Sequence, residues 1–396
     1  MTADVKEFTN WIDTVKSLEP LGENLMKIWG RSEPSAADHQ DMYRLALSAI
    51  ANAYLGHVFV DPRRPTWSPL WNAAMNMGGP VPDYVYMLAD VEPEGIYRLS
   101  GYRGTCLFVD ITQRSWEILG VSPDMGGHAP SHDLNDLTLG PDGYFSVILS
   151  GERPEGYTGD WWPLHPTTVK LMMRKASYDW IGEVDARVAI DRVDDVPPAS
   201  REEIARRISN VAAWAQGMIK FDIELARYYH DTHTINDLEI SKKIKELGGL
   251  PDQIYYDGFY EIDDDEALVV DTALPATCRY WSILVADDRF STVDWINRQS
   301  SINGHQARMD PDGRFRAVIS ARDPGIHNWL DKADNPSGMM QLRWNRASDS
   351  PDPIVKKVPF ADIRKYLPAD TPAMSLEERK EQLRIRREGA QLRILW

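Results

Sequence analysis

The sequence predicts an α+β protein built on two diverged antiparallel β-modules, of β-sandwich or jelly-roll type, with helical segments before, between and after them. Three observations lead to this fold class. Short runs rich in Val, Ile, Tyr and Phe, separated by Gly, Pro and Asp, fill two stretches of the 396 residues. Apolar residues at helical spacing fill the segments around them. The two strand-rich stretches also match each other at a nearly constant offset.

These patterns divide the chain into five predicted parts. They are an N-terminal helical segment at 1–65, a first β-module at 66–196, a central helical segment at 197–250, a second β-module at 251–360 and a C-terminal helical tail at 361–396. A chain of this length has room for two or three domains.

The helical segments carry recognisable start signals. Apolar residues recur at helical spacing in 8–18 and again in 42–54, and Ser35 lies in an N-cap position before the second of these helices. Ser200 begins a capping box with Glu203 three residues later, which predicts a long helix that ends near Tyr229.

Two further helices are predicted after this long helix. The first spans about Asp237–Leu247, before a Gly-Gly pair. The second begins after Ser375, which serves as its cap.

The internal repeat is the strongest sequence signal. Asp312 follows Asp142 by 170 residues, and an ungapped alignment at that offset pairs ten positions. In it, Ser131, Asp133, Pro141, Asp142, Gly143, Phe145, Ile148, Leu149, Ser150 and Pro154 fall on Ser301, Asn303, Pro311, Asp312, Gly313, Phe315, Val318, Ile319, Ser320 and Pro324. Arg174 then falls near Arg343. We therefore expect two modules of the same fold.

Composition excludes whole classes of function. A formal net charge of −16 repels phosphate backbones, so we expect no nucleic-acid partner. No run of 18 apolar residues and no apolar leader segment is present, so we expect no membrane association and, by elimination, a cytoplasmic protein. Two cysteines are too few for a disulfide framework or a thiolate metal cluster.

Four stretches then resemble a known family. They are Asp61-Pro-Arg-Arg-Pro65, Pro82-Asp-Tyr-Val-Tyr86 leading to Tyr97-Arg-Leu-Ser-Gly101, Pro311-Asp-Gly-Arg-Phe315, and Asp323-Pro-Gly-Ile-His-Asn-Trp-Leu330 before Gln341-Leu-Arg-Trp344. With them the chain resembles the domain-of-unknown-function 1214 family, whose bacterial members often carry a partner domain numbered 1254. The resemblance implies β-sandwich modules with helical additions, and an association with catabolism of steroids, terpenes or aromatic compounds. The first half departs from the pattern, because Asp160-Trp-Trp162 stands where the second half has Asn-Trp-Leu.

The densest polar cluster in the sequence is Gly127–Asp133. Its histidines His128 and His132, with Asp133, are candidates for acid–base catalysis, and His305 is the candidate in the second half. A metal site is not predicted, because Pro130 favours a loop over the helix that would align two His residues. A plain polar loop is the alternative.

Other candidate residues lie outside this cluster. Tyr84 is a candidate partner for a catalytic histidine. The candidates for substrate binding are Trp161, Trp162, Asn303, Asn328, Trp329 and Arg343. Arg343 with Asn328 would hold a carboxylate or hydroxyl, and the tryptophans would form an apolar wall. The alternative is that these residues cap turns and neutralise buried acids.

Recognisable cofactor motifs are missing from the sequence. Since it has no G-x-G-x-x-G, no phosphate-binding P-loop, no nucleophile elbow and no H-E-x-x-H, no cofactor is predicted. We therefore expect a cofactor-independent lyase, isomerase or hydrolase that acts on a hydrophobic small molecule, or alternatively a non-catalytic ligand-binding protein. The acidic balance and paired sheets are compatible with a homodimer.

Overall fold

The first β-module consists of two sheets packed face to face. The computed structural model describes residues 11–116, 130–247 and 249–393. The strands of the module are β1 (Ser68–Pro69), β2 (Tyr84–Asp90), β3 (Tyr97–Tyr102), β4 (Phe108–Arg114), β5 (Ser131–Asp133), β6 (Tyr144–Ser150), β7 (Asp160–Pro163), β8 (Lys170–Ala176) and β9 (Arg187–Arg192). The inner sheet has the order β1-β2-β8-β4-β5 and the outer sheet the order β7-β6-β3-β9.

The second β-module repeats this arrangement strand for strand. Its strands are β10 (Glu239–Ser241), β11 (Gln253–Glu261), β12 (Glu266–Thr272), β13 (Tyr280–Val285), β14 (Ser301–Asn303), β15 (Phe315–Ser320), β16 (Trp329–Asp331), β17 (Ser337–Asn345) and β18 (Ile354–Pro359). The inner sheet has the order β10-β11-β17-β13-β14 and the outer sheet the order β16-β15-β12-β18. In both outer sheets one strand pair is parallel, β6 with β7 and β15 with β16.

The duplication predicted from the sequence is therefore confirmed by the strand topology. β5 and β14, which start at the aligned residues Ser131 and Ser301, are both edge strands of an inner sheet. Phe145 and Phe315, also aligned, both point into the apolar layer between the two sheets of their module. The predicted α+β class with two sandwich-like modules is confirmed in the same way.

Seven α-helices of the described residues accompany the two modules. They are α1 (Trp11–Leu18), α2 (Leu21–Trp29), α3 (Ala36–Ala53), α4 (Arg201–Ser209), α5 (Val211–Thr232), α6 (Lys243–Glu246) and α7 (Leu376–Leu392), with a π-helical turn at Tyr54–Val58 and a 3-10 segment at Phe360–Tyr366. Of these, α2, α3 and α5 pack on the inner sheets. Ser35, Ser200 and Ser375 each accept a hydrogen bond from the N3 amide, as their predicted capping roles require.

Two helix predictions are wrong in detail. The long helix after Ser200 is divided at Asn210 into α4 and α5. The segment Asp237–Leu247 is mostly not helical, because residues 239–241 form β10, which pairs with β11 at the edge of the inner sheet. Only four residues, Lys243–Glu246, are helical there. Pairing with an existing sheet edge outweighs the local helical pattern.

A shared core joins the two modules. Besides the apolar layer inside each module, one large cluster combines Leu88 and Phe108 of the first inner sheet, Leu284 and Met339 of the second, and Trp214 of α5. The inner sheets thus bury one face inside their own module and the other against the helices and the partner module, which explains why their central strands are buried along their length.

Candidate functional site

A cavity lies where the two inner sheets and α5 meet. It has a volume of about 100 Å³ and is partly enclosed. Its polar lining residues are Tyr84, Tyr86, Arg114, Arg174, Gln253, Tyr255, Gln341 and Arg343. Its larger apolar lining residues are Trp71, Trp116, Met172, Phe221, Leu225, Ile244, Leu247, Leu250 and Phe290. Because both modules and the helix between them contribute, the cavity is a product of their packing.

Two tyrosines at equivalent positions of the repeat line this cavity. Tyr86 on β2 accepts a hydrogen bond from the backbone amide of Val81 (3.2 Å), and Tyr255 on β11 accepts one from that of Leu250 (3.1 Å). Burial raises the pKa of both hydroxyls, so both remain protonated. Neither hydroxyl donates its hydrogen to any residue within the described ranges. Each therefore has a donor to offer to a bound molecule.

Tyr84 contributes a third hydroxyl. It donates to Oε1 of Gln253 over 3.3 Å, across the boundary between the modules. Its ring packs against Tyr280 and Phe108, with centroids 5.3 and 5.7 Å away. Burial raises the pKa of Tyr84 well above its ordinary value, so this side chain acts as a hydrogen-bond donor and not as a base.

Arg343, on the central strand β17, supplies the cavity with a buried positive charge. Its side chain is 2% exposed, and its Nε has no hydrogen-bond partner among the residues the structure describes. The guanidinium carbon lies 5.9 Å from the centroid of the Tyr255 ring. The equivalent Arg174 on β8 differs, since it donates to Oγ1 of Thr112 (2.9 Å) and forms an ion pair with Asp110 (3.5 Å).

His132, a predicted catalytic residue, lies inside the first module and away from this cavity. Its ring stacks on Trp162, with centroids 4.6 Å apart, and its Nε2 lies 3.1 Å from Nε2 of Gln113. Burial lowers the pKa of His132 to about 4, so the ring is neutral at physiological pH. His128, its predicted partner, lies outside the described residues.

Asp133 and Asn303, which the repeat aligns, link the two modules. Each accepts a backbone amide hydrogen bond from the loop that follows it, as the turn-capping alternative predicts. Each also reaches the other module: Asp133 forms an ion pair with Arg279, and Asn303 donates to Asp83 over 2.6 Å. His305, two residues after Asn303, is exposed.

The remaining predicted binding residues make contacts within their own module. Asn328 donates to the carbonyls of Arg308 (2.6 Å) and Arg316 (2.8 Å) and so joins backbone segments. Trp329 is buried and donates to a backbone carbonyl over 3.2 Å. Trp161 is half-buried and donates to a serine hydroxyl over 3.0 Å.

The structure thus brings two predicted site residues, Tyr84 and Arg343, into one cavity. The sequence analysis missed Tyr255 and Gln253 as lining residues, although a signal was available. Pro82-Asp-Tyr-Val-Tyr86 has a counterpart in Pro251-Asp-Gln-Ile-Tyr255, which places Tyr86 on Tyr255 and Tyr84 on Gln253. A repeat search extended to this segment would have found both.

The described residues show neither a metal-ligand cluster nor a membrane-spanning helix. Within 11–116, 130–247 and 249–393, no group of three or more His, Cys, Asp or Glu side chains could hold a metal ion. Among the helices of the described part, none is long and apolar enough to cross a lipid bilayer.

Fold and cavity define the chain as a duplicated two-module α+β protein with a cavity between its modules. Residues 262–347 match the family described as "Protein of unknown function (DUF1214)". The second module therefore carries a DUF1214 domain, which confirms the resemblance predicted from the sequence.

Two solved structures are similar to the chain. The chain is similar to the crystal structure of an uncharacterized protein from Burkholderia cenocepacia, with 25% identity, a TM-score of 0.79, and coverage of 89% of this chain and 97% of that one. A protein from Vibrio parahaemolyticus is 13% identical, with a TM-score of 0.45 and coverage of 87% of this chain and 99% of that one. A comparison with curated proteins finds no match.

Proposed function

We propose that the protein binds a small organic molecule, apolar at one end, in the cavity between its two modules. The observation that carries the proposal is the unused hydrogen-bonding capacity of a buried, aromatic-lined cavity. Tyr86 and Tyr255 have hydroxyl hydrogens that no described residue accepts, and Nε of Arg343 has no described partner. Buried polar groups are almost always satisfied in proteins, so a bound molecule is the natural partner.

The size of the cavity limits the buried part of the ligand. A cavity of about 150 Å³ holds benzene, so about 100 Å³ accommodates a short chain or most of one ring. Phe221, Ile244 and Leu247 line the cavity and are half-buried, which places its opening on the side of α5 and α6. A larger terpenoid or steroid would insert one end there and leave the remainder outside.

Non-catalytic binding is the function that these side chains serve best. The described polar lining residues are tyrosines, glutamines and arginines, and burial raises the pKa of Tyr84, Tyr86 and Tyr255. Such groups donate hydrogen bonds, whereas proton abstraction needs a group that titrates near the working pH.

The predicted acid–base enzyme is a separate proposal with its own test. It requires His128→Ala and His305→Ala to abolish turnover of a substrate found by screening terpenoid, steroid and aromatic alcohols, with melting temperatures nearly unchanged. Retained turnover in both variants would refute it.

The binding proposal is tested by blocking the cavity. Ile244→Trp adds bulk at its half-buried opening, and Ile204→Trp makes the same change on α4, where Ile204 is 44% exposed and does not line the cavity. Ligands are found by thermal-shift screening of aromatic and alicyclic alcohols, amides and acids, and affinities are measured by calorimetry. We expect Ile244→Trp to weaken binding at least tenfold and Ile204→Trp to leave it unchanged. Equal affinities in the two variants would place binding elsewhere and refute the proposal.

A further inference from the structure

The two inner sheets carry the same row of cross-strand neighbours with different charges. In the first module the row is Tyr86, Arg174, Asp110 and Asp133. In the second module the row is Tyr255, Arg343, Ser282 and Asn303. Tyrosine and arginine are kept, while both aspartates of the first row are replaced by neutral residues. The first row therefore has one cation and two anions, and the second has one cation alone.

The second row lacks the carboxylate with which the arginine of the first row forms its ion pair. Asp110 forms an ion pair with Arg174, whereas Ser282, the corresponding neighbour of Arg343, is neutral. The Ser282 hydroxyl lies 2.7 Å from that of Tyr280, so it is already engaged. Arg343 forms no ion pair with any residue in the described ranges; four tyrosines act on its charge, and Asp257 interacts with it electrostatically without a hydrogen bond.

Two buried acids, Asp257 and Asp83, have hydrogen-bond partners other than Arg343. Asp257 accepts hydrogen bonds from Gln341 and from the Tyr229 hydroxyl (2.8 Å). Asp83 accepts them from Asn303 (2.6 Å) and from the Tyr280 hydroxyl (2.7 Å). A buried guanidinium that lacks a hydrogen-bonded counter-ion is strongly unfavourable, since burial removes water without supplying a replacement.

We infer that the ligand of this cavity carries a carboxylate, which Arg343 binds in place of the aspartate that its counterpart has in the first module. The inference rests on the proposed function and adds the charge and chemical class of the ligand. The guanidinium of Arg343 carries one positive charge, which the single negative charge of a carboxylate balances. A carboxylate accepts two parallel hydrogen bonds from a guanidinium and has lone pairs left for the hydroxyl hydrogens of Tyr86 and Tyr255. The apolar remainder of the ligand then lies against the aromatic and aliphatic walls.

The first part of the test compares matched acids and amides. Benzoate and cyclohexanecarboxylate are measured against benzamide and cyclohexanecarboxamide by calorimetry at constant ionic strength. We expect each acid to bind the wild-type protein at least tenfold more tightly than its amide. Arg343→Met should abolish this preference, and Arg343→Lys should reduce it, because lysine keeps the charge but loses the two-pronged contact.

The second part restores the arrangement of the first module. Ser282→Asp places a carboxylate beside Arg343, as Asp110 lies beside Arg174, and should abolish binding of the acids while the amides still bind. Ser146→Asp, a half-buried strand position in the outer sheet of the first module, is the matched control and should leave both ligand types unchanged.

A third measurement needs no ligand. Because Arg343 lacks a counter-ion in the free protein, both Ser282→Asp and Arg343→Met should raise its melting temperature. A lower melting temperature for Arg343→Met would show that the guanidinium is already paired within the chain, and this would overturn the inference even if Ser282→Asp does not fold.

The remaining outcomes separate the inference from the proposed function. If amides bind as tightly as acids and Ile244→Trp weakens both, the cavity binds ligands but the carboxylate inference is wrong. If no compound in the panel binds and Arg343→Met destabilises the protein, both are wrong. Acid binding that Ser282→Asp leaves intact also overturns the inference, since the anion would then bind elsewhere.

Discussion

Replacing Asn303 with aspartate should loosen the junction between the two modules. Asn303 and Asp83 are each 1% exposed, and Nδ2 of Asn303 donates to Oδ1 of Asp83 over 2.6 Å. Asp83 also accepts from Trp180 (2.8 Å) and Tyr280 (2.7 Å). Asn303→Asp keeps the size of the side chain and the acceptor for the following loop. It replaces the donor that faces Asp83 with a second carboxylate.

The loss in the free energy of unfolding is calculated for two limiting cases, with both carboxyl groups charged and with one of them protonated. Two full charges about 2.6 Å apart repel by about 6 kcal/mol at an effective dielectric constant of about 20. The pair can instead take up one proton, which at pH 7.5 costs about 5 kcal/mol for a carboxyl whose ordinary pKa is about 3.9. The smaller value applies, and because burial already raises the pKa of Asp83 in the wild-type protein, Asn303→Asp should lower the free energy of unfolding by at most about 5 kcal/mol at pH 7.5. At pH 5.0 the same proton costs only about 1.5 kcal/mol, so at most about 3.5 kcal/mol should be regained.

Urea denaturation at the two pH values, followed by tryptophan fluorescence, measures this difference. Asn297→Asp is the matched control, because Nδ2 of the exposed Asn297 also donates to an aspartate, Asp294, over 2.8 Å. Exposed charges are screened by water, so the control should lose less than about 1 kcal/mol. If the two variants lose equal stability, or if the loss for Asn303→Asp does not shrink at pH 5.0, the buried contact with Asp83 does not exist as described.

Two other predictions concern stability away from the cavity. Burial lowers the pKa of His57 to about 3, so between about pH 6.5 and 3 the unfolded chain binds a proton at His57 that the folded protein does not bind. The stability that the neutral, buried His57 contributes is therefore complete above about pH 6.5 and is lost as the pH falls toward 3. His57→Phe, which keeps the stacking on Trp214, should therefore reduce the loss of unfolding free energy between pH 7.5 and 5.0 by about 2 kcal/mol; an unchanged pH dependence would show that His57 is not buried in the neutral form. Asn328→Ala leaves backbone groups of Arg308 and Arg316 unpaired and should cost roughly 2–4 kcal/mol in urea denaturation, with no change in ligand affinity. Weaker ligand binding with unchanged stability would instead support a substrate-contacting role for Asn328.

The sequence predicted the duplication because the turn and strand residues of the repeat are tied to local geometry. Pro-Asp-Gly recurs as Pro141–Gly143 and Pro311–Gly313, and both glycines have positive φ, of 78° and 79°. The helix predicted at Asp237–Leu247 failed for the opposite reason. β10 exists there because β11 offers a free edge, and a partner brought near by the fold leaves no periodicity in the local sequence.

The site was predicted only in part for a related reason. Arg343 and Tyr84 were named from repeat position and residue type, yet nothing in the sequence showed that the two inner sheets share one core. His132 was predicted to be catalytic because it lies in the densest polar cluster of the sequence. In the structure its ring stacks on Trp162 within the first module. Burial determines what each of these residues does. It keeps His132 neutral, so that its ring packs against Trp162, and it leaves the charge of Arg343 without a hydrogen-bonded counter-ion.

Duplication also explains why a cavity arises at this junction. The inner sheets of the two copies contribute to one shared core, and each carries a row of neighbours that begins with tyrosine and arginine. A buried row of this kind is stable when the arginine is neutralised within the copy, as Arg174 is by Asp110. The second copy has Ser282 and Asn303 where the first has acids, so Arg343 has no ion-pair partner among the described residues, and the proposed carboxylate ligand would balance its charge. Under the proposed function, the difference at these two positions separates a structural ion pair from a ligand-binding arginine, while Asp133 and Asn303 both hold the modules together through Arg279 and Asp83.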